Sequence, residues 1–318
     1  MKLKKLYDLM IEKGIEQDPR GKSLVEKELK KTKQQYEKLS DKEKTEFDID
    51  RLKNPYGDTR ILFGNGNEEI KTILIGIDID VGEVILADRL KEKGKKIDMI
   101  LSHHPEGRAL AALYQVMYMQ ADIVHLAGVP INIAESLLQK RIDEVERRLL
   151  PVNHSKTADA ARLLQIPLLC VHTPADSHVS RFLQHLMDKK KPDTVGEIVA
   201  LLKEIPEYQQ AVKNNSGPKI ISGSSSSRAG KVFVDMTGGT EGSKDIFAKL
   251  AQAGVGTVVG MHLSEDHLKK AKEEHVNVVI AGHISSDNVG LNLILDAIEK
   301  QHRFDIIECS GFTRIKRK

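Results

Sequence analysis

The sequence predicts an α/β protein of two lobes preceded by a helical segment, and three observations carry this. From residue 61 onward, short β-branched and apolar runs alternate with amphipathic stretches. The alternation starts afresh in the last hundred residues, beyond the loop-like stretch "SGSSSSRAG" at 222–230. Residues 1 to about 55 are instead highly charged and spaced as helices. The 318 residues suffice for a large core and two lobes. The expected division is a helical extension over 1–55, a first lobe over 56–215 with a helical insertion near 108–150, and a second lobe over 216–318.

Each element has a local reason. "KLKKLYDLMIEK" sets Leu3, Leu6, Leu9, Met10 and Ile11 near one helical face, with Gly14 placed to end the helix. "SLVEKELKKTKQQYEKLS" reads as a more polar second helix, and "SDKE" at 40–43 has capping-box spacing for a third. This segment either packs on the core or serves as an interaction arm, and packing is the expected outcome. "RILFGN" and "KTILIGIDID" read as strands, "EVILADRLKEKG" as a helix closed by Gly94, and "IDMILSHH" as the next strand. Strand, helix, strand implies a parallel pair. Residues 108–150 look helical with a break at Gly128 to Pro130, "SKTADAARLLQ" is a helix and "IPLLCVHTPAD" a strand. Residues 177 to about 215 are again helical. Strands then follow at "KVFVDM", "GTVVGMH", "VNVVIAGH" and "FDIIECSG". They alternate with helices at "KDIFAKLAQAG", "SEDHLKKAKEEH" and "NVGLNLILDAIEK".

Composition narrows the function. Hydrophobic residues make up 40% and charged residues 30%, as in globular domains. Aromatics reach only 4% and tryptophan is absent, which disfavours a base-stacking platform. With 49 basic and 46 acidic residues the net charge is +3, so nothing points to nucleic acid, and the interleaved acids of the helical segment argue against it. The tail Arg314 to Lys318 reads as a solvated basic end. Cys170 and Cys309 sit in apolar strand-like runs and read as reduced thiols. No apolar stretch has membrane-spanning length and the first residues lack the apolar core of a signal peptide, so the expected location is cytoplasmic.

Three strand ends carry histidine. His103 and His104 follow "MILS", His172 and Asp176 follow "LLCV", and His283 and Asp287 follow "VVIAG". Parallel strands place their carboxyl ends along one edge, where α/β proteins build their sites. Imidazole with carboxylate suits a divalent transition metal: zinc, manganese, iron, cobalt or nickel. Donors in this number exceed the need of one tetrahedral zinc, and two ions a few Å apart would use them fully. His172, His178 and His262 are candidates to support those donors. "DMTGGTEGS" at 235–243 either offers backbone N–H groups of Thr237, Gly238 and Gly239 to a phosphate, or is a tight turn that lets a helix approach the sheet. Asp78 and Asp80 in "GIDID" read as capping or turn residues.

In order along the chain, "SHHP" at 102–105, "HTPAD" at 172–176, "TGG" at 237–239 and "SEDHLKKAKEEHVNVVIAGHISSD" at 264–287 resemble the Ngg-one-interacting-factor-three-like family, also called GTP cyclohydrolase 1 type 2 or dinuclear metal-centre proteins. The likeness runs from about residue 60 to 318. It implies two related α/β lobes with two metals in the cleft between them, held by His103, His104, Asp176, His283 and Asp287. It also implies ring-like homo-hexamers. The family usually ends its last motif with glutamate, where this chain has the shorter Asp287, and the stretch 108–171 is longer here. The function expected is a metal-dependent hydrolase of a small phosphorylated or nucleotide-like molecule, with GTP ring opening as the narrower version. The alternative is a metal-binding scaffold without catalysis.

Overall fold

In the computed structural model, which describes residues 1–317, the chain opens with α1 (Leu3–Gln17), α2 (Lys22–Glu37), α3 (Asp41–Glu46) and a 3-10 turn at Ile49–Leu52. Next come β1 (Arg60–Phe63), β2 (Thr72–Gly76), α4 (Val81–Glu92) and β3 (Met99–Ser102). The helices α5 (Gly107–Ala111), α6 (Leu113–Val116), α7 (Met119–Leu126), α8 (Ile131–Leu149) and α9 (Lys156–Leu163) lead to β4 (Leu168–Cys170). Then α10 (Thr173–Lys190), α11 (Val195–Lys203) and α12 (Pro206–Lys213) precede β5 (Lys219–Ser222) and β6 (Lys231–Asp235). The chain ends with α13 (Ile246–Gln252), β7 (Val255–Gly260), α14 (Glu265–Glu273), β8 (Asn277–Ile280), α15 (His283–Glu299) and β9 (Asp305–Glu308).

The strands form two sheets, in the orders β1-β4-β3-β2-β9 and β5-β8-β7-β6. Each has one antiparallel edge strand, β1 or β5, and is otherwise parallel. The order 1-4-3-2 is thus repeated as 5-8-7-6, which makes the two lobes structural counterparts. β9 lies outside the expected division: although it follows the second sheet in the chain, it pairs with β2 at the edge of the first.

Alternation along the strands explains the layers. Ile73 and Ile75 of β2 face α1, α10 and α15, whereas Leu74 faces the α4 and α9 side. Val234, Val259 and Val279 of the second sheet pack towards α10, α11, α12 and α15; Phe233, Val258 and Val278 pack towards α7, α8, α13 and α14. α10 and α15 are therefore a shared middle layer with a sheet on either side. Within the helical insertion at 108–150, α5 packs on β1 of the first sheet, whereas α7 and α8 cover the second sheet, not the lobe to which their sequence position assigned them.

The first helix packs on the core as expected, and two other expectations change at the ends of the chain. α1 is part of the core, with Leu3, Leu6 and Met10 fully buried, whereas α2 buries only Val25 and is largely solvated. Gly14 does not end α1. It lets that helix touch α10, since a Cβ there would lie 2.7 Å from the Pro174 Cβ. The basic tail is not a solvated end. Arg314 pairs with Asp296 and Glu299 of α15, and Arg317 pairs with Glu207 of α12. Lys318 lies outside the described residues. Both cysteines are free thiols, with Cys170 buried.

Candidate metal centre

The carboxyl ends of β3, β4 and β8 bring the histidine motifs to one hollow. β3 continues two residues past its regular end, because the His103 and His104 backbone N–H groups donate to Gly76 and Ile77 carbonyls at 3.0 and 2.9 Å. There the chain turns into Pro105, and the adjacent imidazoles, which a flat strand would aim at opposite faces, lie with ring centres 5.2 Å apart. α10 and α15 each start directly after a strand. Spacing of i, i+4 puts His172 with Asp176, and His283 with Asp287, on one helical face. The rings of His104 and His283, one from each lobe, are 5.0 Å apart.

His103 Nε2 lies 3.3 Å from Asp176 Oδ1 and 3.5 Å from Asp287 Oδ1. His104 Nε2 and His283 Nε2 lie 3.5 and 3.7 Å from Asp287 Oδ2, and His172 Nε2 lies 3.6 Å from Asp176 Oδ2. Three overlapping donor groups result: His103, His104 and His172; His104, His283 and Asp287; His103, Asp176 and Asp287. Within each, the donor atoms lie within 4.8 Å of one another.

Three of the rings are oriented from behind. Nδ1 of His103 is 3.0 Å from the Val171 carbonyl, that of His104 is 2.7 Å from Asp78 Oδ1, and that of His172 is 2.8 Å from Asp58 Oδ2. An acceptor at Nδ1 assigns a proton there and makes Nε2 the ring atom that faces the hollow. Asp78 therefore does more than shape a turn, and Asp80 caps α4 as expected. Asp58 was not singled out from the sequence. "NPYGDTR" reads as a loop, and its contact with His172 spans more than a hundred residues.

The charged groups of the hollow are strongly coupled to one another. Burial lowers the proton affinity of His103, but Asp287 and Asp176 outweigh it and push the ring up to about 10. Burial alone would raise Asp287, yet the surrounding imidazoles hold it well below the usual carboxylate range. His283 is lowered by burial and by neighbouring rings. His103 Nε2, Asp176 Oδ1 and both Asp287 oxygens are buried without a hydrogen-bond partner. Such atoms are costly unless a ligand satisfies them, and mixed nitrogen and carboxylate donors fit a divalent transition ion.

On the second-lobe side, the hollow opens into a cavity of about 90 Å³ lined in part by Thr237, Gly239, Glu241 and His262. His262 stacks 4.9 Å from His283 and lies 3.5 Å from Glu241. Glu241 also accepts from the Ser264 backbone N–H. Gly238 and Gly239 take positive φ angles, and Gln120 donates to the Gly238 and Thr240 carbonyls. The loop does not run straight into a helix N-terminus, because α13 starts only at Ile246. His178 is buried beside the Lys13 backbone of α1.

Two facing α/β lobes sharing a middle helical layer, with a His/Asp cluster able to hold a metal at their junction, define a class of protein. No protein-family model and no curated protein matches the chain. Among solved structures it is similar to a NIF3 superfamily protein from Sphaerobacter thermophilus, at 26% identity over 80% of this chain and 91% of that one, with a TM-score of 0.71. Reduced HcgD from Methanocaldococcus jannaschii shares the fold at 16% identity, over 85% of this chain and 97% of that one, with a TM-score of 0.52. The fold is thus that of NIF3 superfamily proteins, in agreement with the resemblance of the chain's motifs.

Proposed function

We propose that the protein is a metal-dependent hydrolase that uses two divalent transition ions on a small phosphorylated or nucleotide-like molecule. The observation that carries this reading is the set of buried, partnerless donor atoms from both lobes aimed at one hollow. The donors outnumber what one tetrahedral ion takes. When bound, such ions lower the pKa of water towards neutrality and polarise the bond under attack.

The chain's own groups would do the rest. His103, His104, Asp176, His283 and Asp287 hold the ions. Glu241 orients His262 through Nδ1, so that Nε2 at the cleft mouth can hand a proton to a leaving group. Thr237, Gly238 and Gly239 form the wall a substrate would meet. GTP ring opening is the narrower form of the proposal, and a ring-like homo-oligomer, testable by light scattering, belongs to it.

Elemental analysis of protein purified without chelator is expected to give about two transition metals per chain. His104→Ala and Asp287→Ala should each lower bound metal while circular dichroism stays unchanged. A panel of phosphate esters and nucleotides then tests hydrolysis. Metal-free protein, or full retention by both variants, would overturn the reading.

A further inference from the structure

We propose that His172 is a sixth donor of the hollow and that Asp58 is the residue that positions it. This rests on the reading of the hollow as a metal centre. The repeat of the fold supplies the first argument. His172 follows β4 and precedes Asp176 by four residues, as His283 follows β8 and precedes Asp287 by four. The two strands occupy equivalent places in the orders 1-4-3-2 and 5-8-7-6. A histidine equivalent to an expected ligand in the other lobe thus reaches the same hollow, with Nε2 3.6 Å from Asp176 Oδ2.

The second argument is the hydrogen bonding behind the ring. Asp58 is completely buried, an arrangement that is costly unless its charge has specific partners. Its Oδ2 accepts from His172 Nδ1–H at 2.8 Å and from the Thr173 hydroxyl at 2.6 Å. The next residue, Thr59, accepts the His172 backbone N–H through Oγ1 at 3.1 Å. Residues 58 and 59 therefore grip both backbone and ring of His172. Nδ1 of His104 meets Asp78 in the same way. A carboxylate behind the ring sets its tautomer and angle and raises its basicity as a ligand. His172 has all of this, it groups with His103 and His104 as a residue that could hold an ion, and it lines the cavity. With it, the site offers four imidazoles and two carboxylates.

The test uses the whole chain and Co²⁺ in competition with a chelator. His172→Gln is expected to weaken binding of one ion by at least roughly 10-fold and to change the Co²⁺ absorption bands. Asp58→Asn should cost roughly 10- to 100-fold. The double variant should bind no more weakly than His172→Gln alone, since both act through one ring. NMR of the metal-free wild type at mildly alkaline pH should find His172 protonated at Nδ1.

Wild-type affinity and spectrum in His172→Gln would remove His172 from the ligands while leaving the metal centre standing. Wild-type protein that binds no Co²⁺ would overturn the centre and this inference together. Should Asp58→Asn fail to fold, the tautomer decides the positioning role: a proton on Nε2 overturns it.

Discussion

Gly290 of α15 lies directly against Ala175 of α10, so closely that a Cβ at position 290 would overlap the Ala175 carbonyl oxygen. The contact is one residue from Asp176 and three from Asp287, and it sets how near the two carboxylates come. Gly290→Ala must part the middle helices. We expect a loss of about 1–3 kcal/mol in urea unfolding, as for other overpacked cores. Metal affinity should fall with it, although no donor is touched. Unchanged affinity would show that helix spacing does not set the hollow.

Metal should also stabilise the fold, because the donors come together only when both lobes are in place. At a Zn²⁺ concentration roughly a hundred times Kd, unfolding should cost about 2.7 kcal/mol more than in chelator. Thermal unfolding scans measure this. Asp287→Ala should abolish most of the difference, and an equal shift in that variant would argue for binding elsewhere.

The Glu241 carboxylate gives a pH dependence of known sign. Burial raises its pKa, but the His262 hydrogen bond, the His267 charge and the Ser264 N–H outweigh burial and lower it to about 2. A folded value below the unfolded one stabilises fully above the unfolded pKa, and that contribution fades as pH falls towards about 2. Glu241→Gln should therefore be less stable than wild type at neutral pH, and the gap should shrink as acid is added below about pH 4.3. A gap that stays constant with pH would show that the charge is not responsible.

Arg314 joins the end of the chain to α15 through side chains that are almost entirely enclosed, at 6% exposure for Arg314 and 9% for Glu299. Arg314→Ala leaves Asp296 and Glu299 with less compensation. The expected loss is about 3 kcal/mol in chemical unfolding. Near-neutral behaviour would restore the reading of a solvated tail.

Much of the architecture is legible in local pattern. Ile73 to Ile75, Val232 to Val234 and Val278 to Val279 announce strands by β-branching, and Ser264 announces α14 as its cap. The α/β class follows from their alternation with helices. The fate of α1 was less legible, because a stripe of Leu3, Leu6 and Met10 states that a face is apolar without naming what covers it. β9 was misplaced for a related reason. Its residues say strand, but which sheet it joins depends on where α15 delivers it.

The histidines at 103, 104, 172 and 283 and the carboxylates at 176 and 287 stand out in the sequence because strand ends concentrate side chains at one edge, a consequence of backbone geometry that any reader of the chain can apply. The parts drawn from remote loops do not stand out. Asp58 behind His172, Asp78 behind His104 and Glu241 beside His262 became visible only after folding. Local periodicity encodes which face a residue takes. The pairing of distant faces is settled by packing, here by two sheets closing on one pair of helices.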